Sequence, residues 1–125
     1  MLLDTHALLW WLADDPQLGR HARAAIAEPE REVLVSVASL WEARIKQSLG
    51  KLELPRAFRA AIAEQGFREL PVLGEHTDEL TRLPNHHRDP FDRLLVAQAR
   101  CAGLTLVTSD ENIARYDVAQ VHASA

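Results

Sequence analysis

The residues of this chain with the clearest capacity for chemistry are four acids in four separate segments: Asp4, Glu42, Asp92 and Asp110. Asp4 directly follows an apolar run, and Asp110 comes two residues after another. Glu42 and Asp92 fall in the first two turns of expected helices. Carboxylates gathered within a few ångströms must take up protons or share a cation. A hard divalent ion, Mg²⁺ or Mn²⁺, prefers carboxylate oxygen and keeps some of its waters. Held with open positions, such an ion suits phosphate-ester cleavage, because it lowers the pKa of a bound water and offsets charge at phosphorus. No lysine is expected near any of the four segments to neutralise them instead.

Asp92 is the most informative of the four. The stretch Arg88-Asp89-Pro90-Phe91-Asp92 reads as a helix start, with Asp89 as N-cap and Pro90 at the first helical position. A first-turn carboxylate satisfies free N–H groups and faces the positive end of the helix dipole. At about 100° per residue, however, Leu95, Val96 and Ala99 lie on the same side as Asp92, while Arg93, Ala97 and Arg100 form a wetter face. An acid aligned with a buried stripe is costly unless something positive meets it.

Each acid also has a simpler reading. Asp110 and Asp4 can cap the helices that follow them, with Thr5 competing for the second cap. Glu42, one position from its helix's apolar stripe, can be a solvated residue. Thr5, Ser36, Ser39, Thr108 and Ser109 can hydrogen-bond carboxylates or phosphate, although hydroxyls at strand ends are usually caps. Arg88 and Arg93 flank the cluster and can either grip phosphate or stay in solvent. His86 and His87 are adjacent in a loop, a poor spacing for joint metal binding, and are read as solvated. The role of His6 is open.

What must position these residues is an alternation of strands and helices. Residues 1–3, 33–36 and 104–108 are apolar runs of the kind found in strands covered on both faces. Residues 69–73 suggest an edge strand, since Pro71 would remove a ladder bond from a central one, and 118–122 a last strand. Helices are expected over 5–13, 18–27, 37–49, 56–65, 75–83 and 90–102, with Val37, Leu40, Trp41 and Ile45 as the core stripe of the third. Gly50, Gly66 and Gly103 end three of them. This pattern implies a parallel sheet with helices on both faces. Crossover helices then begin at the edge where strands end, so topology alone directs the four acids to one rim.

The 125 residues suit a single domain, 47% hydrophobic and 26% charged. A net charge of −4 is not the basic footprint usual for a nucleic-acid binder. All but Lys46 and Lys51 of the 14 cationic residues are arginine, the better fork for phosphate, although codon bias would give the same surplus and carries more weight. Cys101, alone in an apolar helix, is expected in the core and excludes both an internal disulfide and a cysteine-based zinc site. The first residues lack the character of a signal peptide and no run is long enough to span a membrane, so a cytoplasmic protein is expected.

Four motifs carry a resemblance. Leu2-Leu3-Asp4-Thr5-His6-Ala7-Leu8-Leu9-Trp10, Ser36-Val37-Ala38-Ser39-Leu40-Trp41-Glu42, Arg88-Asp89-Pro90-Phe91-Asp92-Arg93-Leu94-Leu95-Val96-Ala97-Gln98-Ala99 and Leu106-Val107-Thr108-Ser109-Asp110 together resemble a PIN domain. Among PIN domains the similarity is to the VapC toxins of type II toxin–antitoxin systems. The resemblance implies one three-layer α/β/α domain over 1–125 with a central parallel sheet of four or five strands. It implies a Mg²⁺- or Mn²⁺-dependent endoribonuclease whose acidic site comprises Asp4, Glu42, Asp92 and Asp110, with Asp4 and Asp92 as direct metal ligands. Glu42 and Asp110 would complete the site or hold waters, and Asp89 remains the N-cap. RNA as substrate, a homodimer and inhibition by a VapB-type antitoxin follow from the same resemblance. The first helix, apolar on two sides with Trp10 and Trp11, is a candidate docking surface, although two buried tryptophans would give the same pattern. The acidic net charge departs mildly from what an RNA binder needs. Two other functions compete: a receiver-like phospho-signalling domain, which lacks its expected lysine after 118–122, and a non-catalytic PIN-fold binding module.

Overall fold

The computed structural model describes residues 1–125. Five short strands, β1 (Leu2–Leu3), β2 (Leu34–Ser36), β3 (Arg68–Leu70), β4 (Leu106–Thr108) and β5 (Gln120–His122), form one parallel sheet in the order β3-β2-β1-β4-β5. The strand before Pro71 is at the sheet's edge, where a missing donor does least harm. Six helices surround the sheet: α1 (Thr5–Leu12), α2 (Arg20–Ala27), α3 (Val37–Ser48), α4 (Phe58–Glu64), α5 (Gly74–Glu79) and α6 (Pro90–Ala102). Single turns of 3₁₀ helix follow α5 at Leu80–Arg82 and β4 at Ile113–Arg115.

Alternation along the strands builds two cores. Leu3, Val35 and Val107 face one layer, packing with Leu8, Ala22, Ala43, Phe58 and Ile62. Leu2 and Leu106 face the other, packing with Leu95, Val96 and Ala99 of α6 and with Ile113 and Tyr116. Leu2, Leu3, Val35, Leu106 and Val107 are fully buried. Each such side chain contributes about 1.5–3 kcal/mol, which is why the central strands read as uninterrupted apolar runs. The helix containing Asp92 starts and stops where its sequence predicts. Asp89 is the N-cap, Pro90 is the first helical residue, and Gly103 ends the helix at φ +64°.

Three expectations about faces are corrected. In α3, Trp41 and Val37 are exposed (64% and 39%), while Ala38, Leu40, Glu42 and Ala43 are buried. The helix turns its small residues to the core, which draws Glu42 inward and leaves Trp41 to meet Phe91 edge-on at 5.2 Å. Ala97, read as part of a wet face, is fully buried, because α5 lies along α6 and covers a second side of it. Cys101 is exposed rather than in the core, since it lies in the last turn, beyond the buried run that ends at Ala99.

The strand order also removes the receiver-like alternative. That doubly wound fold runs 2-1-3-4-5 with its switch point beside β3, whereas here the first and fourth strands are neighbours. No helix is long and apolar enough to cross a membrane.

Candidate functional site

The chain crosses from β1 toward β2 on one side and from β4 toward β5 on the other, so a crevice opens between the carboxyl ends of β1 and β4. A cavity of about 310 Å³ lies there, and none of its ten lining residues is hydrophobic. Five are carboxylates: Asp4, Glu42, Asp89, Asp92 and Asp110. The topology thus delivers all four expected acids to one place, together with the cap Asp89. No arginine lines the cavity; Lys46 is its one lysine, beside His6 and His87.

Asp4 is 4% exposed and caps α1, its Oδ1 accepting the Ala7 N–H at 2.8 Å. Capping and site membership therefore coexist, and Asp4 rather than Thr5 is the cap. The Thr5 hydroxyl donates instead to Glu42 Oε1 at 2.5 Å. Glu42 is 7% exposed, which rules out the solvated reading, and its Oε2 pairs with Lys46 Nζ at 3.3 Å. Lys46 is one turn beyond Glu42, the i,i+4 spacing that brings side chains together on a helix. The expectation that no lysine lies near the acids is thereby corrected.

Asp92 and Asp110 meet at His87. The imidazole Nε2 lies 2.9 Å from Asp92 Oδ2 and 2.9 Å from Asp110 Oδ2. His87 Nδ1 accepts the Asp89 N–H at 3.2 Å. Asp110 Oδ1 accepts the Asn112 N–H at 2.8 Å, so this acid is also a local turn cap. Reading His87 as solvated is corrected: its side chain is only 13% exposed. The cause is long-range. Tyr116, buried beside α6, takes the backbone N–H of both His86 and His87 on its Oη at 3.1 and 3.0 Å. Arg93, expected to grip phosphate or stay in solvent, braces the same loop by donating to Pro84 O, Leu80 O and Tyr116 Oη. Arg88 remains exposed. Among the hydroxyls, Ser36 caps α3, Thr108 accepts the Asp110 N–H, and Ser39 Oγ is buried without a partner.

Crowding shows in the acidities. Burial pushes the Asp92 carboxyl up to about 7, reinforced by the charges of Asp89 and Asp4 and only partly opposed by His87. Burial also raises Asp4, against the pull of the Ala7 N–H and the Thr108 hydroxyl. For His87, burial disfavours the charged ring, but the hydrogen bond and charge of Asp110, with Asp92 and Asp89 behind it, raise it overall.

This donor set fits a hard divalent cation. It consists of carboxylate oxygens, it carries excess negative charge, and no hydrogen-bond donor of the chain reaches Asp92 Oδ1. Nε2 of His87 and a carboxylate oxygen each of Asp92 and Asp110 all lie within 4.8 Å of one another, and Asp4 and Glu42 line the same cavity.

A family model described as PIN domain matches residues 1–119. The chain belongs to the PIN domain family. Several solved structures share its fold at low identity. VapBC2 from Rickettsia felis, bound to a DNA fragment from its promoter, aligns at TM-score 0.68 and 13% identity over 96% of each chain. A toxin–antitoxin complex from Klebsiella pneumoniae gives 0.66 and 17%, covering 98% of this chain and 96% of that one. VapC20 from Mycobacterium tuberculosis, a sarcin–ricin-loop-cleaving toxin, gives 0.62 and 20%, covering 96% and 97%. No curated protein matches the chain in sequence.

Sequence reasoning missed His87 and Lys46. The i,i+4 relation between Glu42 and Lys46 was a usable signal. For His87 no local signal existed, because its position depends on Tyr116, 29 residues away.

Proposed function

We propose that this chain is a divalent-metal-dependent endoribonuclease and the toxin of a toxin–antitoxin pair. The observation that carries this reading is the wholly polar cavity in which Asp4, Glu42, Asp92 and Asp110 converge from four segments without an arginine. A Mg²⁺ or Mn²⁺ ion bound there would supply a more acidic water and offset charge on the scissile phosphate. Asp4 and Asp92 are the proposed direct ligands. Glu42, tied to Thr5 and Lys46, and Asp110, tied to His87, would complete the site or orient waters. Lys46 Nζ, paired with Glu42 and lining the cavity, would meet a phosphate oxygen of the RNA.

Membership of the PIN family and the toxin–antitoxin complexes among its structural relatives support a VapB-type antitoxin as partner, and a homodimer is the assembly proposed with it. The groove beside α1 favours the same reading. Leu9, Trp10 and Leu12 line it with Leu52 and Pro55, and Trp10 and Trp11 are half-buried rather than sunk in the core. An RNA substrate accords with the cleaving activity named for one of those relatives.

The test is cleavage of total RNA with Mg²⁺ or Mn²⁺. Cleavage should vanish with EDTA and in Asp4→Asn or Asp92→Asn while the circular dichroism spectrum persists. Full activity in either variant would sink the assignment. A wild-type chain that takes up no Mn²⁺ in a calorimetric titration would instead be a PIN fold acting as a binding module.

A further inference from the structure

We propose that His87 is a positioning residue of this site: its Nε2, hydrogen-bonded to Asp110 and 2.9 Å from Asp92, holds two carboxylates from separate segments at the spacing a divalent cation needs. The proposal rests on the metal-site reading above. Its geometric basis is the pair of 2.9 Å contacts from Nε2 to Asp92 Oδ2 and Asp110 Oδ2. The Asp89 N–H on Nδ1 occupies that nitrogen's lone pair, so the neutral ring carries its proton on Nε2, the atom between the two acids. A ring in this tautomer donates to carboxylates and does not itself bind metal through Nε2.

The two acids need such a link for different reasons. Asp110 Oδ1 is already held by the Asn112 N–H, so its carboxylate is oriented by its own turn. The Asp92 side chain accepts no hydrogen bond; the His87 ring, 2.9 Å from its Oδ2, is the positive partner that faces it, and the neighbouring negative charges favour its swinging away. Nε2 lies against Oδ2 of both acids and leaves Asp92 Oδ1 free. Each carboxylate oxygen has two acceptor sites, so the link and a cation can be held together. The ring is itself immobilised. Tyr116 Oη accepts both the His86 and His87 N–H, Arg93 ties the loop to α6, and the His86 ring packs edge-on against Tyr116 at 5.0 Å.

Calorimetric Mn²⁺ titration of the wild type, His87→Ala, His87→Gln and His87→Asn tests this. Loss of a donor to metal-bound groups typically weakens metal affinity roughly 10- to 100-fold, and His87→Ala should show a loss of that order. The glutamine amide nitrogen reaches the position of Nε2 and should restore most of the affinity; the shorter asparagine should not. A long-range ¹⁵N–¹H spectrum of the metal-free wild type should show His87 protonated at Nε2. Unchanged affinity in His87→Ala overturns the positioning role, and so does equal behaviour of the glutamine and asparagine variants. Tighter binding by His87→Ala would mean that the ring obstructs the cation, and a ring protonated at Nδ1 alone would remove the donor that lies between the two acids; either result also overturns it. A wild type that binds no Mn²⁺ overturns the metal site itself, a failure distinguishable from the others because it appears before any substitution.

Discussion

Glu79 and Asp92 lie against opposite ends of the same helix, α6, and each is largely withdrawn from water. Near the C-terminal end, Glu79 accepts from Arg82 Nη1 at 2.7 Å and Arg100 Nε at 3.0 Å, and these two bonds hold its carboxyl below the usual range. At the N-terminal end, Asp92 has three carboxylates around it and only the His87 imidazole, 2.9 Å away, to offset them, and its carboxyl rises to about 7. The chain has arginines to spare and commits two of them to Glu79. It puts none in the acidic cavity. Where stability alone is at stake, a sheltered acid is neutralised from within. At the rim the neutralisation is left incomplete, which is the condition under which an external cation binds.

Catalysis offers the largest contrast. Asp92→Asn should lower RNA cleavage by about a hundredfold or more, the scale for removing one charge-organising group, whereas Glu79→Gln should leave it unchanged. Stability should respond in the reverse sense. Glu79→Ala strands two arginines and should lower the melting temperature of the metal-free protein. Asp92→Asn should raise it, each kcal/mol of relieved repulsion giving roughly 4 °C in a domain of this size. Differential scanning calorimetry in EDTA would expose equal shifts, which would erase the distinction.

The pH dependence follows from the raised pKa of Asp92. Between the ordinary 3.8 and about 7, folded Asp92 keeps a proton that the unfolded chain releases. The metal-free protein should therefore lose stability as pH rises through that window. Saturating Mn²⁺ should reverse the trend, and Asp92→Asn should flatten it; thermal melts across the range read both. The smallest effect concerns Lys46, which offsets one charge of the cavity from its partly exposed position. Lys46→Met should tighten Mn²⁺ binding by no more than about fivefold, in keeping with the modest worth of such ion pairs, as calorimetry would measure.

Much of this site was legible before the fold was known. The Asp89-Pro90 start, the Gly103 stop and the apolar strands are local signals, set by capping geometry, φ preferences and periodicity. Because crossover helices begin where strands end, these signals also place four acids on one rim. The face of α3 was not legible, since Val37, Trp41 and Ile45 form as good an apolar stripe as the residues that are buried. Packing of Ala38 and Ala43 against the core chose between them.

By itself the amino-acid sequence determined the parallel α/β architecture and which acids share its carboxyl edge, because both follow from short-range patterns and chain topology. Only the tertiary structure decided what meets those acids: Lys46 at Glu42, and His87 between Asp92 and Asp110. The reason is that His87 is placed by a Tyr116 hydroxyl 29 residues away. Such a contact exists only once both layers have packed on the sheet.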